Sequence, residues 1–242
     1  MKFLLDLHCH TVNSNHAYST IGENAAYAQS IGLTHIGIAD HGPGMPGGAH
    51  RYHFYNLGAL PDSICGVTVL KGIEANILNT QGELDFPNEN LAHLDFVIAS
   101  MHREVIPPTC EADHTAALIN AMENPHVHII GHPNNIGYPI DVEALVKAAA
   151  KTRTILEINN SSLKPGSFRY NGDGEFLEML KLCAEHNVNV LAGSDAHFHE
   201  AVGNFTWAQP VIEKSGIPEA LVVNTSIDKL TAAIKAKREL FA

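Results

Sequence analysis

Apolar residues fall along this chain in short runs, at 2–7, 34–40, 67–73, 94–100, 127–131, 154–159 and 188–193. Within each run they do not alternate strictly with polar residues. That is the pattern of strands buried on both faces, as in a parallel sheet covered by helices. Between the runs the apolar spacing becomes helical. Thr20-Ile21-Gly22-Glu23 has the capping-box form and predicts a helix to about Ser30, closed by Gly32. Leu118, Ile119 and Met122 mark a helix over 111–123, and Asp141 caps one that carries Val142, Leu145, Val146 and Ala149 on one side. Phe176, Leu177, Leu180 and Cys183 mark another over 173–186, and helices near 206–215 and 226–239 finish the chain. Seven strands alternating with helices predict an α/β fold. One closed or nearly closed barrel over residues 1–242, as a single domain, fits best, with an open doubly wound sheet as the alternative.

Composition narrows the partners. The formal net charge is −11 with only 15 Lys+Arg, so there is little from which to build a basic face, and nucleic acid is an unlikely partner. The four cysteines form no CxxC pair and no disulfide-like framework, which fits a reducing, cytoplasmic location. The apolar run in MKFLLDLHCH is too short for a signal peptide, and no run approaches a membrane span. The anomaly is histidine, with 16 spread through the chain.

Those histidines are in phase with the strands. His8, His10 and His16 follow the first strand, and His8 and His10 share a face because strand side chains alternate. His41 follows the second strand, Glu74 the third, His102 the fourth and His132 the fifth, while Asp195 and His197 follow the seventh. In a β/α barrel these strand ends converge on one face, where active sites lie. The nine side chains suit two or three metal ions, with a carboxylate such as Glu74 bridging. An imidazole-rich set favours zinc, manganese or iron over magnesium or calcium. Such a centre stays cationic, attracts phosphate, and lowers the pKa of bound water, so a metal-bound hydroxide would attack a phosphate ester.

The motifs that carry this pattern are DLHCH at 6–10, His16, ADHG at 39–42, GIEANI at 72–77, MHR around His102, GHP at 131–133, EINNSS at 157–162 and GSDAH at 193–197. With them the chain resembles the polymerase and histidinol phosphatase (PHP) superfamily, and is most similar to its YcdX-type phosphatases. The resemblance implies a distorted seven-stranded (β/α)7 barrel, TIM-barrel-like, with a trinuclear and usually zinc centre. It implies that His8, His10, Glu74 and Asp195 hold one ion, that His16, His41 and His197 hold a second, and that Glu74, His102 and His132 hold a third. A homotrimer is known among similar proteins.

The expected activity is hydrolysis of a small phosphate monoester. A phosphodiesterase or exonuclease, and a non-catalytic metal-binding protein, are the alternatives. Arg51 and Arg103 are candidates for the substrate phosphate, ahead of Lys164 and Arg169. Asp6 and Asp40 are expected to orient ligand imidazoles through the far ring nitrogen. His50, His53 and His199 could shape the pocket or act as general acid. Asn159 and Asn160 could bond substrate or ligands, and Trp207 should pack its helix. Specificity should lie in the loops at 42–60 and 163–173.

Overall fold

The computed structural model describes residues 1–170 and 172–242. Its strands are β1 (Leu5–Cys9), β2 (His35–Ile38), β3 (Ser63–Ile64), β4 (Val67–Asn76), β5 (Phe96–Ser100), β6 (Ile129–Ile130), β7 (Ile155–Asn159) and β8 (Val190–Gly193). Seven of them are parallel neighbours in the order β1-β2-β4-β5-β6-β7-β8, and β3 adds an antiparallel turn to β4. An open doubly wound sheet would reverse its order at a switch point. Here the order never reverses, and the end of β1 returns beside β8 through the pair Cys9 and Ala196.

The helices are α1 (Ile21–Ser30), α2 (Arg51–Tyr55), α3 (Asn88–Leu91), α4 (Glu111–Met122), α5 (Val142–Thr152), α6 (Asn160–Leu163), α7 (Gly174–His186), α8 (Ala208–Ser215) and α9 (Ile227–Leu240). The capping box at Thr20 and Glu23 is formed, and Asp141 accepts from Ala144 N at 2.9 Å. The sequence pattern leaves out α2, α3, α6 and β3, which are too short to develop a period. It also places β1 at 2–7, whereas the strand runs three residues later at its start and includes His8.

Burial explains the two-sided strands. In β5, Phe96 and Ile98 point into the barrel with Leu5, Leu7, Ile129, Ile155 and Leu191, while Val97 and Ala99 face the helix layer. Each such side chain contributes about 1.5–3 kcal/mol when buried. Phe96 fills the lower interior so closely that a Cβ at Gly37 or Gly72 would come within 2.6 or 2.4 Å of its ring. Helix α9 closes the floor, the end where the strands begin, with Leu230 and Ala233 against this inner cluster.

The seam between β1 and β8 has no continuous ladder. Buried Asn224 takes the place of one. Its Nδ2 donates to Leu5 O (3.1 Å) and Ala192 O (2.8 Å), its Oδ1 accepts from Ala192 N (2.7 Å), and its own carbonyl accepts from Leu4 N (2.8 Å). One side-chain amide therefore does the pairing of a missing strand residue. Above it, Asp6 accepts from Ser194 N, Gly203 N and His8 N. The expected contact of Asp6 with a far imidazole nitrogen is absent, because backbone amides of the seam use its oxygens. Higher still, His10 N donates to Ala196 O and Ala196 N to His8 O. This closure brings the two ends of the strand circle, and the histidines on them, together.

Candidate metal centre

Glu74 lies at the middle of the upper barrel, fully buried. Its Oε1 is 3.0 Å from His132 Nε2, 3.3 Å from His8 Nε2 and 3.4 Å from His102 Nε2. Its Oε2 is 2.7 Å from His41 Nδ1 and 3.7 Å from His10 Nε2. Asp195 is the second carboxylate, with Oδ1 3.2 Å from His10 Nε2, 3.6 Å from His8 Nε2 and 3.6 Å from His197 Nδ1. His16 joins through Nε2, 3.2 Å from His41 Nε2, and its ring centroid is 4.8 Å from that of His197. All nine side chains picked from the sequence thus meet in one cluster. Three sets have donor atoms within 4.8 Å of one another: His10, His41 and His197; His8, His10 and Glu74; His41, Glu74 and His102.

The cluster holds buried polar atoms that are unpaired among the described residues. His8 Nε2, His10 Nδ1, His41 Nδ1 and Glu74 Oε2 are buried without a hydrogen-bond partner. His41 Nδ1 and Glu74 Oε2 are close but not aligned for a bond. Each such orphan costs about 1–3 kcal/mol, and buried polar groups are normally paired. Divalent ions among these donors would satisfy them, and the imidazole-rich set matches the preference of zinc. The residues fit the group.

Backbone and charge show how the cluster is held. His132 and Asp195 have φ of 29° and 57°, left-handed values for non-glycine residues. Such conformations cost on the order of 1–3 kcal/mol and gather at functional sites. Burial alone would raise Glu74, but His102, His8 and His41 hold its carboxyl well below the usual range. Burial is likewise overcome at Asp195, which Arg169 and His8 hold low. His10 is pushed down to about 3 by burial and by its neighbours His41 and His197. His132 falls to about 4, by burial and by Arg169.

A residue not singled out from the sequence holds two of these histidines. Glu157 Oε1 is 2.6 Å from His8 Nδ1, and its Oε2 accepts from His132 N at 2.6 Å. Accepting from Nδ1 leaves His8 Nε2 as the nitrogen that faces Glu74 and Asp195. The space exists because residue 193 is glycine: a Cβ there would lie 1.8 Å from Glu157 Oε1. The signal was a lone carboxylate inside the apolar run TILEIN, which is costly to bury without partners.

A cavity of about 680 Å³ opens above the centre. His16, His41, His102, His132, Asp195 and His197 line its base, and Arg103, Lys164, Phe168 and Arg169 its wall. The 42–60 loop contributes Met45 to the lining, and the 163–173 loop most of the wall; position 171 lies outside the described residues. Arg169 donates to Asp195 Oδ2 at 2.9 Å, a closer part than its sequence rank suggested. Arg51, expected to bind substrate, is exposed at the first turn of α2 and does not line the cavity. That five-residue helix turns it to solvent.

His50, His53 and His199 also stay off the cavity wall. His50 caps α2, His53 Nε2 lies 3.1 Å from Asp40 Oδ2, and His199 Nδ1 is 3.1 Å from Ser19 Oγ. Asp40 therefore touches an imidazole, but His53 rather than one of the nine. Asn159 Nδ2 reaches Asp195 Oδ2 at 3.4 Å, whereas Asn160 Oδ1 accepts from Trp207 N and Ala208 N and so caps α8. Trp207 is 40 % exposed rather than packed.

Comparison with known proteins agrees with this geometry. A family model described as the PHP domain matches residues 6–161, and one described as PHP-associated matches residues 178–238. Protein named a probable phosphatase in Clostridium novyi is 44 % identical, over 99 % of this chain and 98 % of its own. Another so named, from a Thermoanaerobacter species, is 46 % identical over 98 % and 97 %. Among solved structures, histidinol phosphate phosphatase from Lactococcus lactis, complexed with zinc, L-histidinol and phosphate, superimposes with a TM-score of 0.61. It covers 88 % of this chain and 94 % of its own at 16 % identity, a likeness of fold alone.

Proposed function

The chain belongs to the PHP domain family, and on that premise we propose that it is a metal-dependent phosphatase that hydrolyses a small phosphate monoester. The observation that carries the reading is the set of buried, unpartnered donors at the base of a cavity with Arg103, Lys164 and Arg169 in its lining. An imidazole and carboxylate base suits divalent cations, and a wall of fixed cations suits phosphate. In this reading His8, His10, Glu74 and Asp195 hold one ion, His16, His41 and His197 a second, and Glu74, His102 and His132 a third. Zinc fits the donors best, and manganese or iron also meet them. Bound ions would supply the Lewis acidity that activates water and offsets phosphate charge.

The chain's own groups do the rest. Glu157 fixes the ring of His8, and Arg169 keeps one nitrogen on Asp195 while lining the cavity where a phosphoryl group would bind. Arg103 offers a second guanidinium from the other side of the cavity lining. A volume near 680 Å³ lies within the roughly 300–1,000 Å³ of small-molecule sites. The names of the relatives, and the phosphate and zinc held by the Lactococcus enzyme, support the same reading.

The test is hydrolysis of p-nitrophenyl phosphate and bis-p-nitrophenyl phosphate by zinc-loaded protein. Faster cleavage of the monoester is expected. Faster cleavage of the diester would turn the assignment to a phosphodiesterase, and cleavage of neither, with three ions bound, to a non-catalytic metal protein. A metabolite screen of the same preparation then identifies the leaving group.

A further inference from the structure

The ring of His102 is held by a chain of contacts that starts outside the centre. Asn76 is the last residue of β4, and the segment after it leaves the sheet and folds back. Ile77 pairs antiparallel with Leu84, and Asp85 N donates to Asn76 O at 3.1 Å. The return sets the half-buried Asp85 carboxylate beside the fully buried Asn76. Asp85 Oδ1 accepts from Asn76 N at 2.8 Å, and Oδ2 from Asn76 Nδ2 at 2.5 Å and from Gly44 N at 2.7 Å. Asn76 Nδ2 has a second acceptor, Gly42 O, at 3.3 Å. At the other end of the same amide, Asn76 Oδ1 is 2.7 Å from His102 Nδ1.

The two ends of a side-chain amide have nearly the same shape, so only neighbours decide which end points where. Every partner of Asp85 here is an N–H donor. Both its oxygens must accept, which a carboxylate does and a neutral acid does only in part. Gly42 O can only accept. The NH2 of Asn76 must therefore face Asp85 and Gly42, and its oxygen must face His102. That oxygen accepts, so a proton sits on Nδ1, and when the ring is neutral its lone pair is on Nε2, the nitrogen 3.4 Å from Glu74. With the amide reversed, the proton would move to Nε2, and His102 would present an N–H to the centre in place of a donor lone pair.

We propose that Asp85 is a positioning residue: through Asn76 it selects the tautomer of His102, and through Gly44 it ties the 42–48 turn to the same carboxylate. The consequence for metal binding rests on reading His102 as a ligand. The tautomer itself does not, and is measured without metal.

The experiment is a long-range proton–nitrogen NMR spectrum of histidine-labelled, metal-free protein at pH 8, where an ordinary imidazole is neutral, with zinc affinity from a chelator competition. Wild-type His102 should carry a proton on Nδ1, whether or not Nε2, which faces Glu74, is protonated as well. Asp85→Asn should give a mixture with the Nε2–H form and weaken the zinc site that needs His102 by roughly 10–100-fold. The exchange Asp85→Asn with Asn76→Asp puts an acceptor-only group back against His102. It should restore both the tautomer and the affinity, although Gly44 stays unanchored. A wild-type ring with no proton on Nδ1 would overturn the proposal, as would Asp85→Asn with unchanged tautomer and affinity. A folded exchange variant that recovers neither would also overturn it. If Asp85→Asn does not fold, the wild-type and exchange spectra still decide. Wild-type protein that binds no zinc but shows the Nδ1–H ring would sink the metal reading and leave this one standing.

Discussion

The two ends of the barrel both bury polar groups, and they treat them in opposite ways. At the floor, Lys237 is fully buried, yet Nζ donates to Met122 O and to Thr154 Oγ1 at 2.5 and 2.8 Å. His128 accepts from Val97 N through Nδ1 at 3.1 Å. Asn224 satisfies both ends of its amide. At the rim, by contrast, four atoms of the histidine and glutamate cluster have no hydrogen-bond partner among the described residues. Desolvation costs the same at either end. The floor offsets it with its own backbone, so its polar residues serve the fold. The rim leaves these atoms unpaired, which is what the proposed metal site would use.

The comparison can be broken most sharply at Glu74. Glu74→Gln removes the charge shared by His8, His41, His102 and His132, and should lower phosphatase activity by more than about 100-fold. The metal content per chain, from elemental analysis, should fall with it. Retention of all metal would end the case for a bridging role. At the seam the reverse is expected. Asn224→Leu strands Leu5 O, Ala192 N and Ala192 O, at about 1–3 kcal/mol each, so urea unfolding should show a loss of about 3–5 kcal/mol. Activity per folded molecule should stay within about two-fold, because no atom of the centre is touched.

A smaller effect tests the floor by pH. Burial pulls Lys237 down to about 7 from its usual 10.5. The unfolded chain takes up that proton below 10.5 while the folded chain does not until about 7. Stability from this group is thus present above 10.5 and lost as pH falls to 7, at about 1.4 kcal/mol per pH unit. In metal-free protein, Lys237→Met should lack this slope, and a slope equal to wild type would mean the ammonium stays charged in the fold. The smallest effect is expected at Arg51→Ala. Exposed and off the cavity, it should change kcat/KM by less than about two-fold, and a larger loss would return it to the site.

Much of the rim was legible in the sequence because strand periodicity and barrel topology act on it together. Residues just beyond parallel strands must converge, so the positions of nine side chains followed from counting. What stayed hidden depends on contacts between distant segments. Glu157 and His8 are 149 positions apart, and no period links them. Arg169 sits in a loop without a repeat, and nothing in its neighbours says that it turns towards Asp195 while Arg51 turns away. The left-handed backbone at His132 and Asp195 is invisible in residue types that rarely adopt it. The short elements were missed for a simpler cause: two to five residues hold too little pattern to read.

The seam has a consequence in time as well as in space. Leu5 and Asn224 are joined across 219 positions, and the circle of strands has no other side chain that bridges Leu5 to Ala192 among the described residues. A growing chain that has reached β7 already holds His8, His10, His16, His41, Glu74, His102 and His132, but it still lacks Asp195, His197 and the amide that shuts the ring. The complete nine-residue centre therefore joins residues contributed early and late in the chain, across the same seam that Asn224 closes.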